Sequence, residues 1–227
     1  MKILAIDTAT KSCSVAVTDA GSLCAELTTL KNQTHSKHLM ELIHSVLEIA
    51  GFGVADLDGL AVTIGPGSFT GLRIGISTIK GLAHALDKPV VGISSLKALA
   101  WQCAETSYLI CPLLDARKGE VYCATYRFNE DQLIQKTSAR AMIPETVVED
   151  VKVPCVFIGT GAWLYRQRIT AALGGLAHFV PEGQNIIRAS SVAFLSMPRF
   201  EANESDGIAG LVPHYIRKSD AELNFGQ

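Results

Sequence analysis

Ala61-Val-Thr-Ile-Gly-Pro-Gly-Ser-Phe-Thr-Gly-Leu-Arg-Ile-Gly75 passes from an apolar, strand-like run through a glycine-rich turn into a helix-like segment. Such a turn aims backbone N–H groups at whatever lies above the start of the helix, where the helix dipole adds partial positive charge. The layout suits an anion, phosphate above all. The strict phosphate motifs are absent, however. The glycines are spaced G-x-G-x-x-x-G rather than G-x-G-x-x-G, and no lysine follows Gly71 where a P-loop places one. The stretch predicts a strand, a turn and a helix of nucleotide-binding shape without the side chains of the common nucleotide chemistries.

Outward from that turn the chain alternates strands and helices. Before it come an apolar run ending in a carboxylate (Lys2–Asp7), β-rich segments at 12–18 and 23–30 split by Asp19-Ala-Gly-Ser22, and a helical pattern over His35–Ala50 that stops at Gly51. After a strand at 60–64 come a helix over 70–86, a strand at 90–93 and a helix through Cys103 capped by Ser94 or Ser95. The order is β-β-β-α-β-α-β-α. A second, shorter run follows: strands at 108–114, 120–128 and 153–158, a helix at 162–173, a short strand at 178–180 and a helix at 189–200. This predicts an α/β protein of two lobes, 1–104 and 105–227, with a C-terminal segment that can pack back on the first. The second lobe lacks a counterpart of the first glycine turn.

The 227 residues suffice for a core without covalent staples. A net charge of −2 argues against a dedicated nucleic-acid binder with a basic face. Cys13, Cys24, Cys103, Cys111, Cys123 and Cys155 form no C-x-x-C pair and lie mostly in apolar runs, which suits buried free thiols in a reducing cytosol. The N-terminus does not read as a signal peptide, and no stretch reads as a membrane span. A cytoplasmic protein without membrane contact is expected.

Gly65-Pro-Gly-Ser-Phe-Thr-Gly-Leu-Arg-Ile-Gly75 resembles the signature of the bacterial TsaB (YeaZ) family. Ile3-Leu-Ala-Ile-Asp-Thr-Ala-Thr10 with Ser14-Val-Ala-Val17 resembles the same family, as do the weaker blocks Leu114-Asp-Ala-Arg117, Glu120-Val-Tyr122 and Pro213-His-Tyr-Ile-Arg217. The blocks fall in family order along nearly the whole chain. The resemblance implies a two-lobed ASKHA-like fold, shared with sugar kinases, actin and heat-shock ATPases. It also implies a non-catalytic role beside TsaD in forming threonylcarbamoyladenosine in tRNA. A TsaE-type ATPase joins that pair, ATP or ADP and metal reside on the partners, and tRNA is met only through the complex. Alone, such a chain is expected to pair with itself.

Within that resemblance Asp7, Thr8, Gly65, Gly67 and Ser68 stand as a relic of a nucleotide site. An aspartate at this place in ASKHA ATPases lies near metal and phosphate, but Ala9 stands here where a glycine would let phosphate approach the backbone. An Asx turn closing a hairpin is the alternative reading of Asp7, beside the relic adopted here. Ser68 fits a helix cap better than a nucleophile. TsaD-like proteins carry an H-x-x-x-H pair whose positions fall on Ser95 and Leu99, neither suited to iron or zinc. His35 and His38 form the only close histidine pair, with no third ligand beside them in sequence. Asp115 and Glu120 flank a basic turn and read as acid–base candidates or as a solvated hairpin tip. No catalytic residue and no metal site is expected. The alternatives are a glycopeptidase-like metallopeptidase, which lacks its ligands, and a small ASKHA phosphotransferase, whose second phosphate loop has only Ile158-Gly-Thr-Gly-Ala162 as a candidate.

The helices carry the partner expectation. On a wheel of about 100° per residue, Leu39, Met40, Ile43, Val46, Leu47, Ile49 and Ala50 of His35–Ala50 span about a half-circle. A surface helix needs an apolar stripe only on the order of 100° wide. Either a second contact or deep burial accounts for the excess. In the 70–86 helix Gly71, Gly75, Thr78, Gly81 and Ala85 gather on one side with Ile74 and Leu82 between them, beside a polar strip containing Arg73. Interior glycines cost roughly 1 kcal/mol each against alanine, so close backbone approach is expected, to the sheet or to a partner helix. The resemblance places the partner interface at Leu39, Met40, Ile43, Leu47, Gly71, Arg73, Gly75, Thr78 and Leu82.

Overall fold

The computed structural model describes residues 1–30 and 35–217. They divide into two compact units, each with its own sheet and core.

In the first unit β1 (Lys2–Asp7), β2 (Cys13–Asp19) and β3 (Ser22–Thr29) form an antiparallel meander. Its second turn needs left-handed backbone, and Ala20 and Gly21 supply it at φ 47° and 80°. Then come α1 (His35–Ala50), β4 (Gly59–Gly65), α2 (Phe69–Leu86), β5 (Val90–Ser94) and the start of α3 (Ser95–Trp101), whose last three residues belong to the second unit. The strand order is β3-β2-β1-β4-β5, with β1–β4 and β4–β5 parallel. The central strands β1 and β4 are almost continuously apolar because both their faces are covered. Leu4, Ile6, Leu60 and Val62 point into one core with Leu39, Ile43, Val46 and Leu47 of α1 and Ile76 and Ile79 of α2. The alternate residues Ile3, Ala5, Ala16 and Ala61 are also buried, on the opposite face.

The second unit repeats this order. β6 (Leu109–Arg117) and β7 (Glu120–Cys123) make a hairpin. β8 (Tyr126–Asn129) and β9 (Gln132–Gln135) form a side hairpin joined to β6. β10 (Arg140–Met142), α4 (Pro144–Glu149), β11 (Cys155–Ile158), α5 (Thr160–Leu164), α6 (Arg166–Leu173) and β12 (Ala177–Phe179) follow. The main path is β10-β7-β6-β11-β12, with β7 antiparallel to β6 and to β10, and β11 parallel to β6 and to β12. Strand for strand this matches the first sheet. Cys111, Leu113, Val121, Phe157, Ala162 and Ile169 fill its core.

Finally α7 (Ala189–Glu201) packs on β1, β2, β4 and β5. The first unit therefore comprises Met1–Ala98 with Ile187–Pro213, beside the sequence expectation of lobes at 1–104 and 105–227. The start of α7 finds no cap in its own sequence, since Arg188 at the N-cap makes no side-chain capping bond. The sheet satisfies it instead. The Ala189 N–H donates to the Ser14 hydroxyl (3.0 Å), and the Ser190 N–H donates to Glu26 (2.9 Å), whose second oxygen accepts from the Arg188 Nε–H (2.8 Å). Past α7, the Asp206 N–H donates to the Val90 carbonyl and the Asp206 carboxylate accepts from the Gly92 N–H, so the β5 edge is covered.

Two expected elements differ. The strand at 120–128 breaks at 124–125 into β7 and β8, and the helix at 162–173 is two helices meeting at Tyr165. Two further strands, β9 and β10, and α4 occupy 132–149, where the sequence reading placed nothing. No helix among the described residues is long and apolar enough to cross a membrane.

Candidate functional site

The glycine turn joins β4 to α2 and lies against the end of β1. Gly65, at φ 117°, takes a backbone conformation that side chains rarely permit. Ser68 caps α2 as expected, its hydroxyl accepting from the Gly71 N–H (3.3 Å). What fills the turn is the chain itself. The Ser68 N–H donates to the Ala9 carbonyl (2.7 Å), and the Thr8 hydroxyl donates to the Gly71 carbonyl (2.7 Å). A Cβ on Gly67 would stand 2.4 Å from the Ala9 carbonyl oxygen, on Gly71 2.0 Å from that of Thr8, and on Gly75 2.4 Å from the Thr8 hydroxyl. Each glycine is there because the 8–9 segment occupies the place of its side chain.

Asp7 lies beneath, fully buried. Its Oδ1 accepts from the Thr63 hydroxyl (2.7 Å) and the Ala9 N–H (3.1 Å), the latter closing an Asx turn, the alternative reading of this aspartate. Its Oδ2 is buried without a partner. Burial pushes the Asp7 carboxyl up to about 7, against the two hydrogen bonds that pull it down. The fold class implies a phosphate and metal near such an aspartate. The residues present do not fit them at this turn: the Ser68 and Gly71 N–H groups are spent within the chain, and Asp7 has no exposed oxygen.

The expected partner residues separate into two groups. Leu39, Ile43 and Leu47 are buried in the first unit's own core, and Gly71 and Gly75 are pressed on Thr8. These five are covered within the unit itself, although the resemblance placed them in the partner interface. Burial accounts for Leu39, Ile43, Val46 and Leu47 of the α1 arc, where α1 packs on β2 and β3, whereas Met40 and Ile49 are exposed. Met40, 51% exposed, and Arg73, whose guanidinium lies 3.8 Å from the Phe69 ring centroid, remain at the surface. Thr78 and Leu82 are half-buried, and the Thr78 hydroxyl donates to the Ile74 carbonyl (2.9 Å). Thr70, Arg73, Ser77, Gly81 and Ala85 form the open side of α2. Gly81 is the informative one. Nothing lies within 4 Å of a Cβ placed on it, so its own unit gives no packing reason for a helix-interior glycine.

Elsewhere, Ser95 and Leu99 are both fully buried. His38 bonds Glu41 (3.0 Å), and the His35 side chain lies outside the described residues. Asp115 accepts from the Arg117 N–H (2.8 Å) at the hairpin tip, and Glu120 pairs with Arg217 (2.6 Å), so both carboxylates serve the turn and its neighbour. Cys24 is exposed and the other five cysteines are buried free thiols. The sequence reading missed the second glycine turn. Gly159, at φ 107°, follows β11 and would place a Cβ 2.5 Å from the Leu113 carbonyl oxygen. The signal was Ile158-Gly-Thr-Gly-Ala162, too short to weigh alone.

Two units of one topology, each with a glycine turn pressed on its first strand or on the turn just after it, define an ASKHA-like protein. The fold is shared, at 10% identity and a TM-score of 0.52, with the activator of the 2-hydroxyisocaproyl-CoA dehydratase from Clostridium difficile with bound ADPNP, covering 91% of this chain and 99% of that one. YeaZ from Pseudomonas aeruginosa is far nearer: TM-score 0.81 and 28% identity, over 94% of this chain and 99% of that one. The tRNA threonylcarbamoyladenosine biosynthesis protein TsaB of Bacillus subtilis (strain 168) is 34% identical over 99% of this chain and 98% of its own length. The family described as "TsaD: tRNA N6-adenosine threonylcarbamoyltransferase" matches residues 28–225. The chain belongs to the TsaB (YeaZ) family.

Proposed function

We infer that this chain serves tRNA threonylcarbamoyladenosine biosynthesis, as a non-catalytic subunit that binds and activates a TsaD-like protein. The observation that carries the pathway is the 34% identity, over almost the full length of both chains, with a relative named for that biosynthesis. The finer role rests on the site. The glycine turn is filled by the chain's own Thr8 and Ala9, and α2 presents an open side of Arg73 among small residues, with no acidic group in the whole helix. Catalysis, metal and adenine nucleotide belong on this reading to the TsaD-like partner and a TsaE-type ATPase. The tRNA is reached through that complex, in the cytoplasm, and the isolated chain pairs with itself through the same face.

Gly81 is the probe. Gly75 cannot serve, because any side chain there strikes Thr8 inside the unit. Gly81→Leu has open space around it, so the isolated chain folds as before. Capture of the TsaD-like protein of the same organism, and self-association, should both be lost. A Gly81→Leu chain that binds as the wild type does moves the partner face away from α2. The isolated chain should neither hydrolyse ATP nor retain zinc or iron on dialysis. Stoichiometric metal, or turnover lost in Asp7→Ala, would overturn the non-catalytic reading.

A further inference from the structure

Gly71 and Gly75 are one helical turn apart and lie on the side of α2 that meets the end of β1. Thr8 reaches both. Its carbonyl oxygen stands in the place of a Gly71 side chain, and its hydroxyl stands in the place of a Gly75 side chain while donating to the Gly71 carbonyl. Ala9 adds a third point through the Ser68 N–H. The beginning of a helix carries unsatisfied N–H groups and little of the helix's cooperativity, so it is where outside contacts fix position best. Thr70, Arg73 and Ser77 leave the same turns toward solvent. A change in the depth of α2 on Thr8 therefore moves those side chains with it.

We propose that Thr8 is the positioning residue of the α2 face, its hydroxyl and carbonyl setting how deeply the first two turns of α2 sit on β1 and hence where the partner-binding side is held. This rests on reading α2 as the partner helix. It assigns the glycines of the family-like turn to an internal ligand, the chain's own backbone and one hydroxyl, rather than to a phosphate.

The test is a double-mutant cycle between Thr8 and Gly75. Gly75→Ala sets a methyl 2.4 Å from the Thr8 hydroxyl. With that hydroxyl gone, the nearest atoms are Val62 Cγ2 at 3.5 Å and the Thr8 Cβ at 3.6 Å, ordinary contacts. Gly75→Ala alone should shift the folding equilibrium toward the unfolded state by about tenfold or more, the range of modest overpacking. In a Thr8→Ala background the same change should be nearly neutral. Thr8→Ser keeps the hydroxyl, so it should resemble the wild type and fail to rescue Gly75→Ala. Affinity for the TsaD-like protein is then measured where every variant is folded. Folded Gly75→Ala should bind more weakly, and Thr8→Ala/Gly75→Ala should recover most of the loss. A merely structural Thr8 would change stability and leave the affinity of the folded chain alone. Equal cost of Gly75→Ala in both backgrounds, or wild-type affinity in folded Gly75→Ala, overturns the proposal. Should Gly75→Ala not fold, amide exchange across the first two turns of α2 in Thr8→Val against Thr8→Ser decides it. Faster exchange in Thr8→Val alone is expected, and equal exchange overturns the proposal. A wild-type chain that fails to bind any TsaD-like protein overturns the reading of α2 instead, while the folding arm of the cycle still reports on Thr8.

Discussion

The two glycine turns use one backbone device to different ends. In both, a parallel strand stops at a glycine of positive φ, Gly65 or Gly159, and a helix begins against the end of the first strand of a hairpin. In both, a carbonyl of that first strand or of the turn after it occupies the place of a glycine side chain: Thr8 against Gly71, Leu113 against Gly159. The outcomes diverge after that. The first turn launches an 18-residue helix with one buried side and one open side. The second launches five residues that end at Tyr165, where a new helix starts. The strand-end carboxylates diverge too, Asp7 sealed under the turn and Asp115 open to solvent. The shared device fixes strand to helix. What the following helix buries decides whether the turn also presents a face.

The largest effects should come from the glycines themselves. Gly71→Ala forces a methyl to within 2.0 Å of a backbone oxygen and should cost about 3 kcal/mol or more in chemical denaturation. Gly159→Ala meets both a 2.5 Å approach and a φ of 107°, and a cost of about the same size is expected. If Gly159→Ala is tolerated while Gly71→Ala is not, the turns are not one device.

Asp7 should separate the two units by pH. Its folded-state value is raised from 3.8 to about 7, so the unfolded chain releases the proton first as pH rises. The stability Asp7 contributes is full below 3.8 and falls as pH climbs to about 7, by up to about 1.4 kcal/mol per pH unit, then levels off. Asp7→Asn should remove that slope in denaturation curves taken across this window. An unchanged slope would mean that the carboxyl gains a partner for Oδ2. Asp115→Asn keeps the acceptor for the Arg117 N–H and should cost less than about 1 kcal/mol.

One further effect has the opposite sign. Gly81→Ala, in open space on the exposed side of α2, should stabilise the isolated chain by about 1 kcal/mol. Loss of stability would reveal an internal reason for Gly81 and weaken the case for a partner there.

Much of this was legible because it is local. Ser68 sits where a cap belongs, Gly51 ends α1, and the alternation of β1 to β5 with their helices follows from apolar runs and turn residues. The second unit was harder to read. Its strands are three or four residues long outside β6, and α4 is announced only by Pro144 at the start of six residues. At the site, Asp7, Thr8, Gly65, Gly67 and Ser68 lie around one turn, which their two separate motifs do not show by themselves. The covering of Leu39, Ile43 and Leu47 within the unit itself was not legible, because a helical wheel reports that a side is apolar and not what covers it.

The sequence by itself determined the strand–turn–helix at residues 61–75, the α/β order of the first unit and the family, since each depends on neighbours in the chain or on ordered motifs. Only the tertiary structure decided what the glycines are for. Gly71 and Gly75 are 63 and 67 positions from Thr8, and no local pattern says which atoms will arrive in the space a missing Cβ leaves. The same holds for α7, whose start is capped by Ser14 and Glu26 from strands at the other end of the chain. Backbone propensity acts over a few residues, whereas the ligand of a glycine and the cap of a helix are chosen by whichever polar group the folded sheet brings within 3 Å.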